Sequence, residues 1–266
     1  MPELPEVETI KRELENKIIN KRIIDVKVIK GKVIKEPAIA DFKKGLIGER
    51  IRKIIRKAKL LIIKLKEDKF LIIHLRISGW LLYGNEDEKA KVVFYFSDGT
   101  VLNYMDKRVL GELKLRKDYR DLKFIKGLGP EALEISLAEF KEILKSRKTK
   151  IKALLLDQSL ISGLGNIYAQ EVLFSARIDP RRAANSLSKE EVKLLHQKLA
   201  SVLKEAIKYK GSSVDSYRDL EGGKGGMEKR LKVYARENEP CCVCKKPLEK
   251  ISLAGRGTCF CPHCQQ

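Results

Sequence analysis

Pro2 and the acids behind it, in Met1-Pro2-Glu3-Leu4-Pro5-Glu6, are the first residues whose types and order could do chemistry. Removal of Met1 ahead of a small residue would leave Pro2 as an N-terminal secondary amine. An α-amine has a pKa near 8, so an appreciable fraction is unprotonated at neutral pH. Attack by such an amine on an aldehyde-like carbon gives an iminium, a strong electron sink. Glu3 and Glu6 lie close enough along the chain to move protons for it. The same residues also read as an ordinary helix start, with proline in the first turn and Glu6 and Glu8 near the positive end of the dipole.

The second reactive group is at the other end. All six cysteines fall between Cys241 and Cys264. Cys241-x-x-Cys244 and Cys261-x-x-Cys264 are sixteen residues apart, the two-knuckle spacing of a tetrahedral zinc site. Four thiolates fill the coordination sphere, so one zinc ion is expected in a structural role. Cys242 and Cys259 fall outside this register, and His263 is not expected to ligate. Between the knuckles, residues 251–258 read as a β-hairpin with Arg256 at its tip, placed to grip a phosphate.

Charge indicates what these groups act on. The 266 residues carry 56 Lys and Arg against 36 Asp and Glu, a formal net charge of +20. This excess favours a polyanionic partner, nucleic acid first and an anionic membrane second. No apolar run approaches the 18 or more residues of a membrane span. Acids stand where a secretory signal would be basic and then apolar. The expectation is a cytoplasmic monomer, associated with the nucleoid when bound to DNA.

The elements that must position these residues follow from periodicity. Val7, Ile10, Leu14 and Ile18 form a helical stripe, so the first helix carries Pro2 at its N-terminal end. The period then changes. Residues 22–30 alternate, with Ile24, Val26 and Val28 expected on one side, and 52–57, 60–66, 70–77, 92–96 and 101–104 are β-branched or aromatic runs of strand length. Glu67-Asp68 and Asp98-Gly99 mark turns. Strands so spaced suggest a β-sandwich or flattened barrel. Gly127-Leu128-Gly129-Pro130 breaks this pattern. Beyond it, Ser136…Glu139 and Ser188…Glu191 are capping boxes that open helices. Between those helices, Gly163-Leu164-Gly165-Asn166-Ile167-Tyr168 is a glycine-rich break leading into a helix near Asn166, where exposed amides and the Asn166 side chain could hold a phosphate. Residues 210–226 are polar and glycine-rich, expected as a mobile loop.

The Pro-Glu-Leu-Pro-Glu opening and the cysteine array together resemble the formamidopyrimidine-DNA glycosylases, bifunctional enzymes that remove oxidised purines from DNA. The resemblance runs in order along the whole chain. Lys59, in Arg56-Lys57-Ala58-Lys59-Leu60, matches the lysine of an Arg-x-Ala/Gly-Lys-Tyr-Leu segment placed near DNA phosphate. His74-Leu75-Arg76-Ile77-Ser78-Gly79 matches His-Leu-Gly-Met-Ser-Gly. The resemblance makes His74 a phosphate contact and Ile77 the wedge that fills the hole left by a flipped base, with Ile77 in place of Met and Arg76 in place of Gly. Asp106-Lys107-Arg108-Val109-Leu110-Gly111 matches Asp-Pro-Arg-Arg/Lys-Phe-Gly. It implies that Arg108 faces the base left unpaired and that Leu110 replaces the Phe wedge. Gly-Leu-Gly-Asn-Ile-Tyr-Ala is the hallmark of the family's helix–two-turn–helix and makes Asn166 a phosphate contact. Lys152 matches a lysine near the lesion pocket, Arg256 an arginine on the DNA backbone, and 210–226 a loop that closes over the flipped base.

The implied architecture is α+β: an N-terminal β-sandwich with a flanking helix over 1–126, a helix–two-turn–helix domain with a lesion loop over 127–230, and a zinc-finger hairpin over 231–266. The implied activity is a base-excision DNA glycosylase and AP lyase acting on double-stranded DNA with oxidised purines or abasic sites. Pro2, Glu3, Glu6 and Lys59 form the catalytic set, and β,δ-elimination follows base loss. Two alternatives stand beside it: an endonuclease VIII-type enzyme for oxidised pyrimidines, against which Leu4 speaks, and a non-catalytic zinc protein that binds damaged DNA, against which the joint presence of Pro2, Glu3 and Lys59 speaks.

Overall fold

A computed structural model describes residues 1–66, 68–214 and 216–266. Glu67, expected from the sequence to mark a turn with Asp68, lies outside them. The chain divides into two compact units, one of residues 1–126 with 207–228 and one of 127–206 with 229–266.

The first unit begins with α1 (Leu4–Ile18), whose Val7, Ile10, Leu14 and Ile18 are all buried, as the helical stripe requires. Then come β1 (Ile23–Val28), β2 (Ile34–Glu36), α2 (Ile39–Leu46), β3 (Lys53–Lys57), β4 (Leu60–Lys66), β5 (Lys69–His74), β6 (Gly79–Gly84), β7 (Val92–Phe96), β8 (Val101–Asp106), β9 (Glu112–Arg116) and the short α3 (Lys123–Lys126). The strands form two sheets, in the orders β1-β7-β8-β6 and β2-β9-β5-β4-β3. Only β2 and β9 pair in parallel among the described strands. One apolar core takes Val26, Leu81, Val92, Phe94 and Leu102 from the first sheet and Leu61, Ile63, Leu71, Ile73 and Leu113 from the second, together with the α1 stripe. The outer face of the second sheet is covered by the chain after β9: Leu122 packs on Leu60, Ile62 and Ile72, and the ring of Tyr119 meets Phe70 edge-on at 5.1 Å.

Two sheet crossings decide where functional side chains go. β5 and β9 pair in the second sheet, with His74 opposite Glu112. β6 and β8 pair in the first, with Gly79 opposite Asp106. The connections 75–78 and 107–111 therefore both pass from one sheet to the other at the same end of the sandwich.

Strand β1 departs from simple alternation. A bulge between Ile23 and Asp25 shifts its register against β7, so Ile23 joins Val26 in the core while Ile24 is 52% exposed. A bulge leaves one residue unpaired and reverses the facing of what precedes it. The elements that sequence periodicity leaves out are β2, α2, β6, β9 and α3. In β9, Leu113 alone is buried among charged neighbours, and α2 has Gly45 within its eight residues.

The second unit contains α4 (Leu137–Lys145), α5 (Ile151–Leu156), α6 (Asn166–Ser175), most of α7 (Lys189–Lys208) and the hairpin β10 (Glu249–Leu253) and β11 (Arg256–Phe260). Both capping boxes form. The Glu139 N–H donates to Ser136 Oγ at 3.2 Å while Glu139 Oε2 accepts the Ser136 N–H at 3.0 Å. The Ser188 and Glu191 pair repeats this at 3.2 and 2.7 Å. The segment 207–228, placed with the helical domain by the sequence boundary at 230, clusters here with the first unit.

The bulge makes a direct prediction. Ile23→Ala should destabilise the fold by about 2–5 kcal/mol, whereas Ile24→Ala should stay within about 0.5 kcal/mol. Chemical denaturation of the two variants checks it.

Candidate active site

The N-terminus is held, not frayed. Pro2, Glu3 and Glu6 are buried, the two acids at 2% and 1% exposure. Glu6 Oε2 accepts the Glu3 N–H at 2.8 Å, closing the first turn of α1 on the residue that follows Pro2. The other oxygen of Glu6 accepts the Ser212 N–H at 2.8 Å. Gly211 stands against this carboxylate at φ +74, and a Cβ there would lie 2.6 Å from Glu6 Oε1. A side chain would therefore strain the backbone and crowd the acid.

The glycine-rich segment expected as a mobile loop is tied to α1 at further points. The Leu220 N–H donates to Glu13 at 3.0 Å, Lys210 pairs with Glu13 at 2.9 Å, and Lys17 with Glu221 at 2.9 Å. Tyr217 and Leu220 enter the sandwich core. Apolar anchors at two of its positions explain the difference from a reading based on glycine content. Asp215 lies outside the described residues.

Lys59 sits in the two-residue turn between β3 and β4, buried, after Ala58 at φ +50. Arg56 fixes this turn to α1. Its Nε donates to Glu8 at 2.9 Å and its Nη1 to the Ala58 carbonyl at 3.1 Å, with both side chains largely out of solvent. The pair depresses the Glu8 carboxyl below its ordinary range: burial alone would raise it, but the guanidinium contacts of Arg56 and Arg12 outweigh that.

His74, the last residue of β5, is buried, and its Nδ1 accepts the Arg76 N–H at 3.1 Å. Burial, with the Arg76 charge next, pushes its pKa down to about 3. The ring is thus neutral, with its proton on Nε2 as a donor. Arg76 occupies a left-handed backbone conformation, φ +53, and its guanidinium meets Glu112 Oε1 at 2.6 and 3.1 Å. Beyond it, Ile77 and Leu110 are each 41% exposed, large apolar side chains on the two sheet crossings. Arg108 lies exposed on the second crossing beside Leu110.

In the second unit, Lys152 on α5 is fully buried, and its amine donates to Thr258 Oγ1 on β11 at 2.6 Å. Asn166 opens α6 and donates from Nδ2 to the Gly257 carbonyl at 3.2 Å. Its Oδ1 is buried with no hydrogen-bond partner among the described residues. Gln170, one turn on, donates to Gly257 O at 3.3 Å and accepts the Cys259 N–H at 2.7 Å. Arg256 is exposed at the hairpin turn, across from Leu253. Asn166, Lys152 and Arg256 therefore converge on one hairpin. Glu171 adds a further tie, accepting the N–H groups of Lys232, Val233 and Tyr234 at 2.9, 3.0 and 2.9 Å.

The sulfurs of Cys241, Cys244, Cys261 and Cys264 all lie within 4.8 Å of one another. Cys241 to Cys264 is 3.9 Å and Cys244 to Cys261 is 3.4 Å. Sulfurs about 2.3 Å from a tetrahedral zinc stand about 3.8 Å apart, so the donor set fits the ion and closes its coordination. Cys242 is exposed and Cys259 buried, both outside this group. The zinc is structural.

The positioning residues Arg56, Gln170 and Glu171 were not singled out from the sequence. Gln170 had a signal, since its i,i+4 spacing from Asn166 puts both on one helix face. Arg56 stands in the motif matched at Lys59, but its pairing with Glu8 had no signal, because that contact is tertiary. No helix among the described residues is long and apolar enough to cross a membrane.

Three sequence models match. The formamidopyrimidine-DNA glycosylase N-terminal domain covers residues 1–113, the H2TH domain of the same enzymes covers 127–218, and the zinc finger found in FPG and IleRS covers 238–266. The chain is 39% identical over 274 residues to the formamidopyrimidine-DNA glycosylase of Listeria innocua and 42% identical over 276 residues to that of Desulfitobacterium hafniense, each covering 100% of both chains. Among solved structures, the Lactococcus lactis FPG mutant G226P with Fapy-dG-containing DNA superposes with a TM-score of 0.91 at 37% identity. MutM with carbocyclic 8-oxo-G-containing DNA does so with a TM-score of 0.90 at 38% identity. Both cover 100% of each chain.

Two predictions come from this geometry. The His74 ring should show a flat NMR titration between about pH 5 and 8, where an ordinary imidazole changes near 6.5. The unfolded chain binds that proton near 6.5 and the folded chain only near 3. Acidification across this window should therefore weaken the fold, less so in His74→Gln. Separately, metal analysis should find one zinc per chain, and Cys261→Ala should lose it together with about tenfold or more of the DNA affinity.

Proposed function

The chain belongs to the formamidopyrimidine-DNA glycosylase family, and on that premise we propose how its own residues carry the activity. It is a DNA-formamidopyrimidine glycosylase of base-excision repair, acting on DNA with oxidised purines, with the AP lyase chemistry typical of the family. Its partner is double-stranded DNA containing such lesions or abasic sites.

The reaction is led by the amine of Pro2, once Met1 is removed. The damaged nucleotide is turned out of the stack. The Pro2 nitrogen forms a bond to the sugar C1′, the bond from C1′ to the base breaks, and the base leaves with a proton. Opening of the sugar ring gives an iminium between Pro2 and C1′. This acidifies C2′; loss of a C2′ proton expels the 3′ phosphate, and a second elimination expels the 5′ phosphate. Water then hydrolyses the iminium and frees Pro2.

Glu3, next to the nucleophile, moves the protons at the sugar. Glu6 supports the pocket and the lyase steps by joining the Glu3 amide to that of Ser212. Lys59 holds phosphate and polarises its surroundings. His74, Asn166 and Arg256 grip the backbone, His74 as a neutral donor. Ile77 and Leu110 wedge into the stack, Arg108 faces the estranged base, and Lys152 braces the hairpin of Arg256 through its hold on Thr258. The observation that carries this reading is a buried Pro2 directly followed by buried Glu3, with Glu6 closing the turn.

Borohydride trapping on a duplex with one 8-oxoguanine opposite cytosine tests it. Mass spectrometry should place the covalent adduct at Pro2, and Glu3→Gln should slow base loss by about 10²–10⁴-fold. An oxidised-pyrimidine duplex run alongside should trap less. No adduct from protein confirmed to lack Met1, with DNA binding intact, would refute the amine mechanism.

A further inference from the structure

The two wedge side chains ride on separate connections, 75–78 and 107–111, and nothing in the strand pairing alone fixes the distance between them. Each connection leaves a paired residue in one sheet and enters a paired residue in the other, His74 with Glu112 and Gly79 with Asp106. Asp106 is the last residue of β8. It faces inward on the same side of the strand as Leu102 and Tyr104, and it is 1% exposed. A carboxylate in that position needs donors, and four converge on it. Ser78 Oγ donates to Oδ1 at 2.5 Å, and the Arg108 N–H donates to the same oxygen at 3.1 Å. The Gly111 N–H donates to Oδ2 at 2.7 Å, and the Tyr104 hydroxyl reaches Oδ2 at 3.4 Å.

Those donors come from both crossings. Ser78 follows Ile77 directly, and Arg108 and Gly111 bracket Leu110. The Arg108 N–H is also 3.1 Å from Ser78 Oγ, so the crossings touch through the hydroxyl as well. Tyr104 fills the space beneath. A Cβ on Gly111 would lie 1.6 Å from its hydroxyl oxygen and one on Gly79 3.0 Å from it, so both crossings close down on this phenol. Burial and the neighbouring carboxylate raise the Tyr104 phenol far above its usual range, leaving it a donor.

We infer that Asp106 is a positioning residue that clasps the two sheet crossings together and so sets the spacing of the Ile77 and Leu110 wedges. Forcing an apolar side chain between stacked bases costs a few kcal/mol per step. A wedge on a yielding connection would bend back before the stack opened. The buried carboxylate, fully supplied with donors, makes the two connections one rigid edge. Removing one acceptor leaves buried N–H groups unsatisfied and releases one connection from the other.

This inference rests on the glycosylase reading, and its test separates the two. Asp106→Asn keeps size and replaces one acceptor oxygen with a donor; Ser78→Ala removes only the hydroxyl bridge. Each variant is assayed on a duplex oxidised purine, where the stack must open. Each is also assayed by borohydride trapping on a single-stranded abasic oligonucleotide, where it need not. Asp106→Asn should slow duplex excision by about 10²-fold, with Ser78→Ala affected less, while single-strand trapping stays within about twofold of the parent. The excision ratio between cytosine and adenine opposite the lesion should shift in both variants. A 2-aminopurine beside the lesion should report slower unstacking. Equal losses on both substrates, or no loss on the duplex, would overturn the inference. If Asp106→Asn does not fold, Ser78→Ala decides by the same comparison. A parent protein that traps on neither duplex nor single-stranded abasic DNA would instead refute the glycosylase reading.

Discussion

The nucleophile proposed at Pro2 is only as well placed as the segment that carries it, and chain ends are ordinarily the loosest part of a fold. Here the constraint is met by burying a whole helix. The α1 stripe of Val7, Ile10, Leu14 and Ile18 lies in the sandwich core, and each such side chain contributes on the order of 1.5–3 kcal/mol. That burial fixes the axis of α1, and polar contacts then fix its first turn. Glu6 closes on the Glu3 amide, and Glu8 is locked to Arg56 at the end of β3. The Arg56 and Glu8 pair is shielded from water, so losing either partner would leave a buried charge, which costs far more than losing an exposed pair. The same guanidinium braces the turn that carries Lys59.

Because the helix is fixed, the segment 207–228 has something to dock on. Its contacts with Glu6, Glu13 and Lys17 lie along one face of α1, while Tyr217 and Leu220 supply the apolar part. In the second unit the logic is similar but metal-centred. The cysteine cluster holds the base of the hairpin, and Lys152, Asn166 and Gln170 hold its strand β11 to the helices. Glu171 receives three successive amides, whose donation opposes the upward pull of burial on its carboxyl.

Local signals were legible in the sequence. The α1 stripe, the two capping boxes, the helix start at Asn166 and the four-cysteine register each depend on residues a few positions apart, and the structure contains each of them. What failed was long-range. Alternation put Ile24 on the same side as Val26, but the bulge in β1 is fixed by its pairing with β7 and turns the Ile24 side chain to solvent. Strand β9 was invisible because its charged residues are balanced across the sheet: Glu112 with Arg76, and Lys114 and Arg116 with Glu36. The glycine-rich 210–226 looked unstructured because its anchors, Glu6 and Glu13, are about two hundred positions away. The candidate site residues were found by matching motifs; the contacts by which Arg56, Asp106 and Gln170 hold them became visible only in three dimensions.

The two sheet crossings also bear on how such a chain can change over generations. Both ends of 75–78 and of 107–111 are fixed by the same two strand pairings, so the connections share one gap. Insertion or deletion in either would pull a strand out of register and reverse the facing of its side chains. Drift is thereby channelled into the identity of outward side chains and away from loop length. Arg76, Ile77, Lys107 and Leu110, where this chain differs from the motifs it resembles, are all such exchanges at unchanged spacing. A chain built this way can change the side chains it presents on the two crossings one residue at a time, while the frame that carries them stays fixed.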